Sequence, residues 1–211
     1  MTEYINDFIK KNKYTIFDGK YQKLFDECDC RCRTELVEIL TKADIQFIDK
    51  MERIPSSMFK NSKLTGKFVI PSNIHTIRHN AFRNSNFDEI FIENPIEPEF
   101  YLEEDCFANM QQLKKVRLPN KLKKIPGFNF YYCSQLKYIE IPEGVEYIGS
   151  GAFKGSGLTQ IRLPSTIKKI GELAFDNDGP IKVLYNGTLD QWQKVKINDR
   201  GNDKLVVKYL K

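Results

Sequence analysis

The sequence predicts an α+β solenoid, a stack of short parallel strands with an N-terminal α-helical cap and a C-terminal cap. Three observations predict it. A phrase of isoleucine, three variable residues, a small or apolar residue and phenylalanine recurs as Ile54/Phe59, Ile77/Phe82, Ile125/Phe130, Ile148/Phe153 and Ile170/Phe175, with a degenerate copy ending in Cys106-Phe107. The phenylalanines stand 23, 25, 23, 23 and 22 residues apart. A fixed period in the twenties marks a solenoid in which each unit stacks on its neighbours. The first 42 residues lack the phrase and show a helical rhythm instead.

In chain order, a short helix holding Ile5, Phe8 and Ile9 is expected first, broken at Asp18-Gly19. Tyr21, Leu24, Phe25, Cys28, Cys32, Leu36 and Leu40 then follow the i, i+3, i+4, i+7 spacing of an amphipathic helix. These helices are read as a cap over residues 1–42; the alternative use is a partner-binding or dimerisation module. The repeats occupy residues 43–180, about six of them, and the first begins at Ile45-Gln46-Phe47. Within each, a second phrase gives a strand: Leu136-x-x-Ile139-x-Ile141-Pro142-x-x-Val145-x-x-Ile148 is answered by Leu158-x-x-Ile161-x-Leu163-Pro164-x-x-Ile167-x-x-Ile170. The Ile-x-Ile step has the period of two of a strand with one buried face, and proline closes it because it cannot donate to a ladder. Residues 181–211 form the C-terminal cap, with Tyr185 and Trp192 expected over the last repeat.

These phrases resemble the BspA-type family of leucine-rich repeats over about residues 43–197, most closely between Leu113 and Phe175. The resemblance implies a right-handed solenoid with a parallel sheet on one side and no enzymatic activity. Members of the family are commonly surface proteins that bind host or matrix proteins. A fold of this kind serves many partners and does not name one.

The remaining residues offer little to catalysis or to metals. His75 and His79 fall at outward, variable positions, no phosphate-binding glycine loop exists, and no cofactor is implied. Cys106 and Cys133 take interior slots as small hydrophobes. Cys28, Cys30 and Cys32 lack a fourth zinc ligand nearby and read as reduced thiols. No apolar run is long enough to span a bilayer, and the first residues lack a signal peptide's basic start and apolar core, so an intracellular protein is expected. Asn186-Gly187-Thr188 then reads as a turn rather than a glycosylation site.

Charge narrows the function. Residues 106–175 carry 11 basic and 4 acidic side chains, against 9 and 11 in residues 1–52. The strand period turns Phe91, Lys115, Arg117, Tyr138 and Arg162 outward on the main face, and Lys123, Lys124, Tyr147, Lys168 and Lys169 outward on the next. Lys115, Arg117, Tyr138 and Arg162 are expected to form one ladder at strand spacing, about 4.8 Å. Lysine on exposed strands also guards against edge-to-edge association, so solvation alone accounts for part of the pattern. The functional reading is a non-enzymatic module that binds a protein with an acidic surface, acting as an intracellular adaptor or inhibitor, for example a phage- or virus-encoded blocker of a host factor. The alternatives are a surface adhesin and, less well supported by the pI of 8.8, a nucleic-acid binder. The acidic, two-proline segment 93–105 is expected to protrude from the longest repeat. The sequence sets no oligomeric state.

Overall fold

The structure is a computed structural model and describes residues 51–211. In chain order its strands are β1 (Arg53–Ile54), β2 (Lys67–Ile70), β3 (Thr76–Ile77), β4 (Glu89–Ile92), β5 (Tyr101–Leu102), β6 (Lys115–Arg117), β7 (Lys124–Ile125), β8 (Tyr138–Glu140), β9 (Tyr147–Ile148), β10 (Gln160–Leu163), β11 (Lys169–Ile170), β12 (Ile181–Tyr185), β13 (Lys196–Ile197) and β14 (Leu205–Tyr209). A single helical turn, α1 (Leu189–Trp192), follows β12. Even-numbered strands build one long face and odd-numbered strands a shorter one, and every pairing is parallel.

The third side of each coil connects the odd strand to the next even one through two consecutive tight turns. In the first coil Met58 N–H donates to Pro55 C=O and Ser62 N–H to Phe59 C=O, while Ser57, Phe59 and Asn61 donate across to His79, Ala81 and Arg83 of the next coil. In five coils the pair of turns is set by two residues at positive φ four apart, Ser57/Asn61, Asn80/Asn84, Asp105/Asn109, Phe128/Tyr132 and Gly151/Gly155, while the last coil has Leu173 alone. A left-handed residue every fourth position prevents an α-helix from propagating and turns the amides toward the neighbouring coil.

That finding corrects the α+β expectation. Among the described residues α1 is the one helix, four residues long, and the fold is a parallel β-solenoid. The expected N-terminal α-helical cap over residues 1–42, the strand at Ile45-Gln46-Phe47 and the cysteines at 28, 30 and 32 lie outside the described residues.

The core is a column of rings. Phe59, Phe82, Phe107, Phe130, Phe153 and Phe175 are all buried, and successive centroids lie 4.9, 5.4, 5.5, 5.2 and 5.4 Å apart with interplanar angles of 21° or less. Stacking at the coil spacing lets each ring exclude water from the next, and the isoleucines of both faces close around them. Cys106 and Cys133 are buried free thiols against backbone carbonyls; burial pushes the Cys133 thiol up to about 12 and raises Cys106 well above its ordinary value. At the C-terminal end Tyr185 is fully buried with Trp192 packed edge-on at 5.0 Å. Thr188 and Gln191 complete a capping box on α1. The buried Asn202 closes the last coil: its Oδ1 accepts the Phe175 N–H at 3.0 Å and its Nδ2 donates to Gly171 C=O at 2.9 Å. One side chain thus stands in for the backbone of a following coil.

Among the described residues the stack contains one dislocation. The long face divides into β2-β4-β6 and β8-β10-β12-β14, and the short face into β1-β3-β5 and β7-β9-β11-β13. The coil of β6 and β7 therefore pairs upward by its long strand and downward by its short one, with a single parallel bridge, Phe100 to Leu122, joining its short side to the coil above. Its turns remain bonded on both sides, with Asn109 N–H donating to Tyr131 C=O at 2.7 Å and Phe130 N–H to Ala152 C=O at 2.7 Å. Just before it, the acidic segment 93–100 bulges outward, leaving Ile96 74% exposed, and the Lys121 ammonium ties it down through the carbonyls of Pro95 and Glu97 at 3.0 and 2.8 Å.

Candidate functional site

On β6, Val116 enters the core, so Lys115 and Arg117 stand outward; on β8, Ile139 enters and leaves Tyr138 and Glu140 outside. Phe91 on β4 lies in register with Arg117. Its ring lies beneath two ammonium groups, Lys67 at 4.0 Å and Lys115 at 5.1 Å. The expected ladder from Lys115 to Arg162 is interrupted here, because no ladder joins β6 to β8. Instead a cleft of about 370 Å³ opens over the break, walled by Phe91, Lys115, Arg117, Tyr138 and Glu140. Its apolar lining is Val116, Leu118 and Pro142. Val116 and Leu118 keep 8% and 7% of their surface exposed, whereas Ile139, Ile141, Ile161 and Leu163 in the continuous sheet keep 1% or less.

The structure thus gathers Phe91, Lys115, Arg117 and Tyr138 into one cleft and separates the other six expected residues from it. Arg162 is turned to Glu140 at 3.7 Å and to the Asn186 amide oxygen at 3.1 Å. Lys123, Lys124, Tyr147, Lys168 and Lys169 lie on or beside the short face, where Lys124, Tyr147 and Lys169 are register neighbours on β7, β9 and β11. The Lys169 ammonium lies 5.6 Å from the Tyr147 ring, and Lys168 pairs with Glu146 at 2.8 Å. Hydrogen bonding and charge from Lys168, helped by Lys123, hold the Glu146 carboxyl below its ordinary range. That patch is partly neutralised by its own glutamate. In the cleft, by contrast, Arg117 has no carboxylate within 4.0 Å among the described residues. Glu89 faces Lys115 in the β4–β6 register without an ion pair, the lysine lying over Phe91 instead.

A second exposed aromatic group escaped the sequence reading. Phe128 and Tyr132 are 42% and 46% exposed, and Tyr131 packs edge-on to both rings, with centroids 5.6 and 4.3 Å away. The signal was present: at the two left-handed positions that most other coils fill with serine, asparagine, aspartate or glycine (Leu173 of the last coil being the exception), this coil places bulky rings. They are accommodated because Gly151 and Gly155 of the next coil leave room beneath them. The histidines stay outward as expected, His75 hydrogen-bonded to the Thr76 hydroxyl and His79 3.5 Å from Glu103.

The model of the BspA type leucine rich repeat region matches residues 52–182 in six copies. The chain belongs to the BspA-type leucine-rich repeat family. Among solved structures, this repeat protein is similar to a leucine rich cell surface protein from Faecalibacterium prausnitzii A2-165, at 26% identity and a TM-score of 0.54, over 62% of this chain and 34% of that one. It shares its fold with the T. pallidum leucine rich repeat protein (22% identity, TM-score 0.50, 56% and 57% covered). The same holds for the pneumococcal vaccine antigen PcpA (16%, 0.50, 74% and 44% covered). The repeat chain therefore spans between about a third and three fifths of these solved chains. No curated protein sequence matches it. Leucine-rich repeat proteins of this kind generally act by binding other proteins, and no helix among the described residues is long and apolar enough to cross a membrane.

Proposed function

We propose that this protein is a non-enzymatic binding module that occupies the acidic surface of a protein partner, as an adaptor or inhibitor, through the long face around Phe91, Lys115, Arg117 and Tyr138. The observation that carries the reading is Arg117 beside Lys115: two exposed cations without ion-pair partners, flanked by two aromatic rings over a recessed apolar floor. Aromatic and arginine side chains over a partly desolvated pocket are the combination that contributes most to protein association. The short-face patch of Lys123, Lys124, Tyr147, Lys168 and Lys169 acts as a peripheral attraction, since Glu146 already offsets part of its charge. A surface adhesin is the second reading, favoured by the similarity to a protein described as a cell surface protein. It would use the same face.

The test is affinity capture with the purified protein at low and high salt, alongside the double variant Lys115→Glu/Arg117→Glu. Neither side chain enters the core, so the variant should fold normally. A partner captured at low salt, weakened as salt rises and lost with the charge reversal supports the reading, because exposed charges are screened beyond about 8 Å at physiological ionic strength. Capture that is indifferent to both salt and charge reversal places the binding surface elsewhere.

A further inference from the structure

Resting on that reading, we infer that the cleft at the dislocation takes an extended segment of the partner with one carboxylate and an adjacent apolar side chain. A volume of about 370 Å³ admits one or two side chains, not a folded surface, so the recognised unit is a short stretch of chain. The chemistry at its two ends differs. At one end Lys115 and Arg117 offer an ammonium and a five-donor guanidinium, and the planar guanidinium matches a carboxylate with two parallel hydrogen bonds. Two neighbouring cations are already paired, Lys114 with Asp88 at 3.2 Å and Arg162 with Glu140 at 3.7 Å, whereas Lys67 over the Phe91 ring adds its charge to this pair, so an incoming anion meets little competition here.

Between the rings of Phe91 and Tyr138 the floor is Val116 on β6 and Leu118 just after it, the two residues that the missing ladder leaves incompletely covered. An apolar side chain seated there would finish burying them, a gain that grows with the apolar area removed from water. Glu140 on the opposite wall repels a second anion, so the carboxylate lies toward β6 and the apolar side chain toward β8. The same geometry disfavours a nucleic-acid strand. A run of phosphates along this face would meet Glu89 and Glu140 on either side of the two cations.

The experiment is an array of immobilised tetrapeptides that samples every pair of central residues, probed with the wild-type chain, Arg117→Gln and Tyr138→Ser, with a single-stranded oligonucleotide as competitor. Retention should be highest for pairs joining aspartate or glutamate to a leucine, isoleucine or aromatic residue. Arg117→Gln should weaken these by at least about tenfold, the loss anticipated for a charge-assisted hydrogen bond. Tyr138→Ser should weaken the apolar preference while sparing the acidic one. Acidic pairs retained equally by Arg117→Gln would overturn the cleft assignment and leave the acidic-partner reading standing. No acidic preference at all, or an oligonucleotide that displaces every peptide, would overturn both.

Discussion

Replacing Gly151 by alanine separates two costs that the structure superimposes. The residue sits at φ +61°, where an L side chain costs about 1–2 kcal/mol. Its new Cβ would also stand 2.5 and 2.7 Å from the Cε1 and Cδ1 of Phe128. That ring is 42% exposed, so it can swing outward, forfeiting about 1 kcal/mol of its burial. Gly151→Ala should therefore destabilise the protein by about 2–3 kcal/mol. In a Phe128→Asn background the steric part vanishes, and the same substitution should cost only the backbone share of about 1–2 kcal/mol. The coupling in the double-mutant cycle is then about 1 kcal/mol. Urea unfolding followed by far-ultraviolet circular dichroism measures all four free energies under one protocol. Strict additivity of the two substitutions would refute the packing of Phe128 on Gly151 and, with it, the explanation of how this coil tolerates a bulky left-handed residue.

Three further outcomes follow from the packing and the ion pairs. Phe153→Ala removes a fully buried ring stacked between Phe130 and Phe175 and should cost about 3–5 kcal/mol in the same unfolding assay; a loss below about 1 kcal/mol would contradict the ring column. Asn202→Leu leaves the Phe175 amide without a partner and the Gly171 carbonyl with only the Ala174 N–H at 3.4 Å, and should cost about 1–3 kcal/mol, with amide exchange quickening first in the last coil; unchanged protection at Phe175 would contradict its closing role. Asp88 accepts the Gly66 N–H at 2.7 Å and the Lys114 ammonium at 3.2 Å, which together hold its carboxyl below 3.8. Its contribution is present above that value and disappears as pH falls through the lower folded-state value, so Asp88→Asn should flatten the stability profile below about pH 4 while the wild type still loses stability there.

The phenylalanine period and the Ile-x-Ile step made the stack legible, because burial at fixed spacing leaves a mark in every coil. The α+β class rests on the helical rhythm of residues 1–42, which lie outside the described residues, whereas the described repeats take tight left-handed turns where a helix would lie. Asparagine, aspartate and glycine at most of the left-handed turn positions were the available signal for those turns. For the site, alternation placed Phe91, Lys115, Arg117 and Tyr138 outward correctly. The cleft they line was invisible because it comes from the absence of pairing between β6 and β8, two strands whose sequences, Lys-Val-Arg and Tyr-Ile-Glu, look as competent to pair as their neighbours. Ion pairing was equally hidden: Arg162 looked as available as Arg117 until Glu140 and Asn186 were seen beside it.

The central claim, that partners are engaged through the long face at its dislocation, is tested most directly by amide hydrogen exchange of the protein with and without a captured partner. Binding at the cleft should slow exchange in residues 115–118 and 138–142, and leave the amides of 123–125 and 168–170 on the short face little changed. Protection concentrated on the short face, or on the turn carrying Phe128 and Tyr132 with none at 115–118, would contradict it.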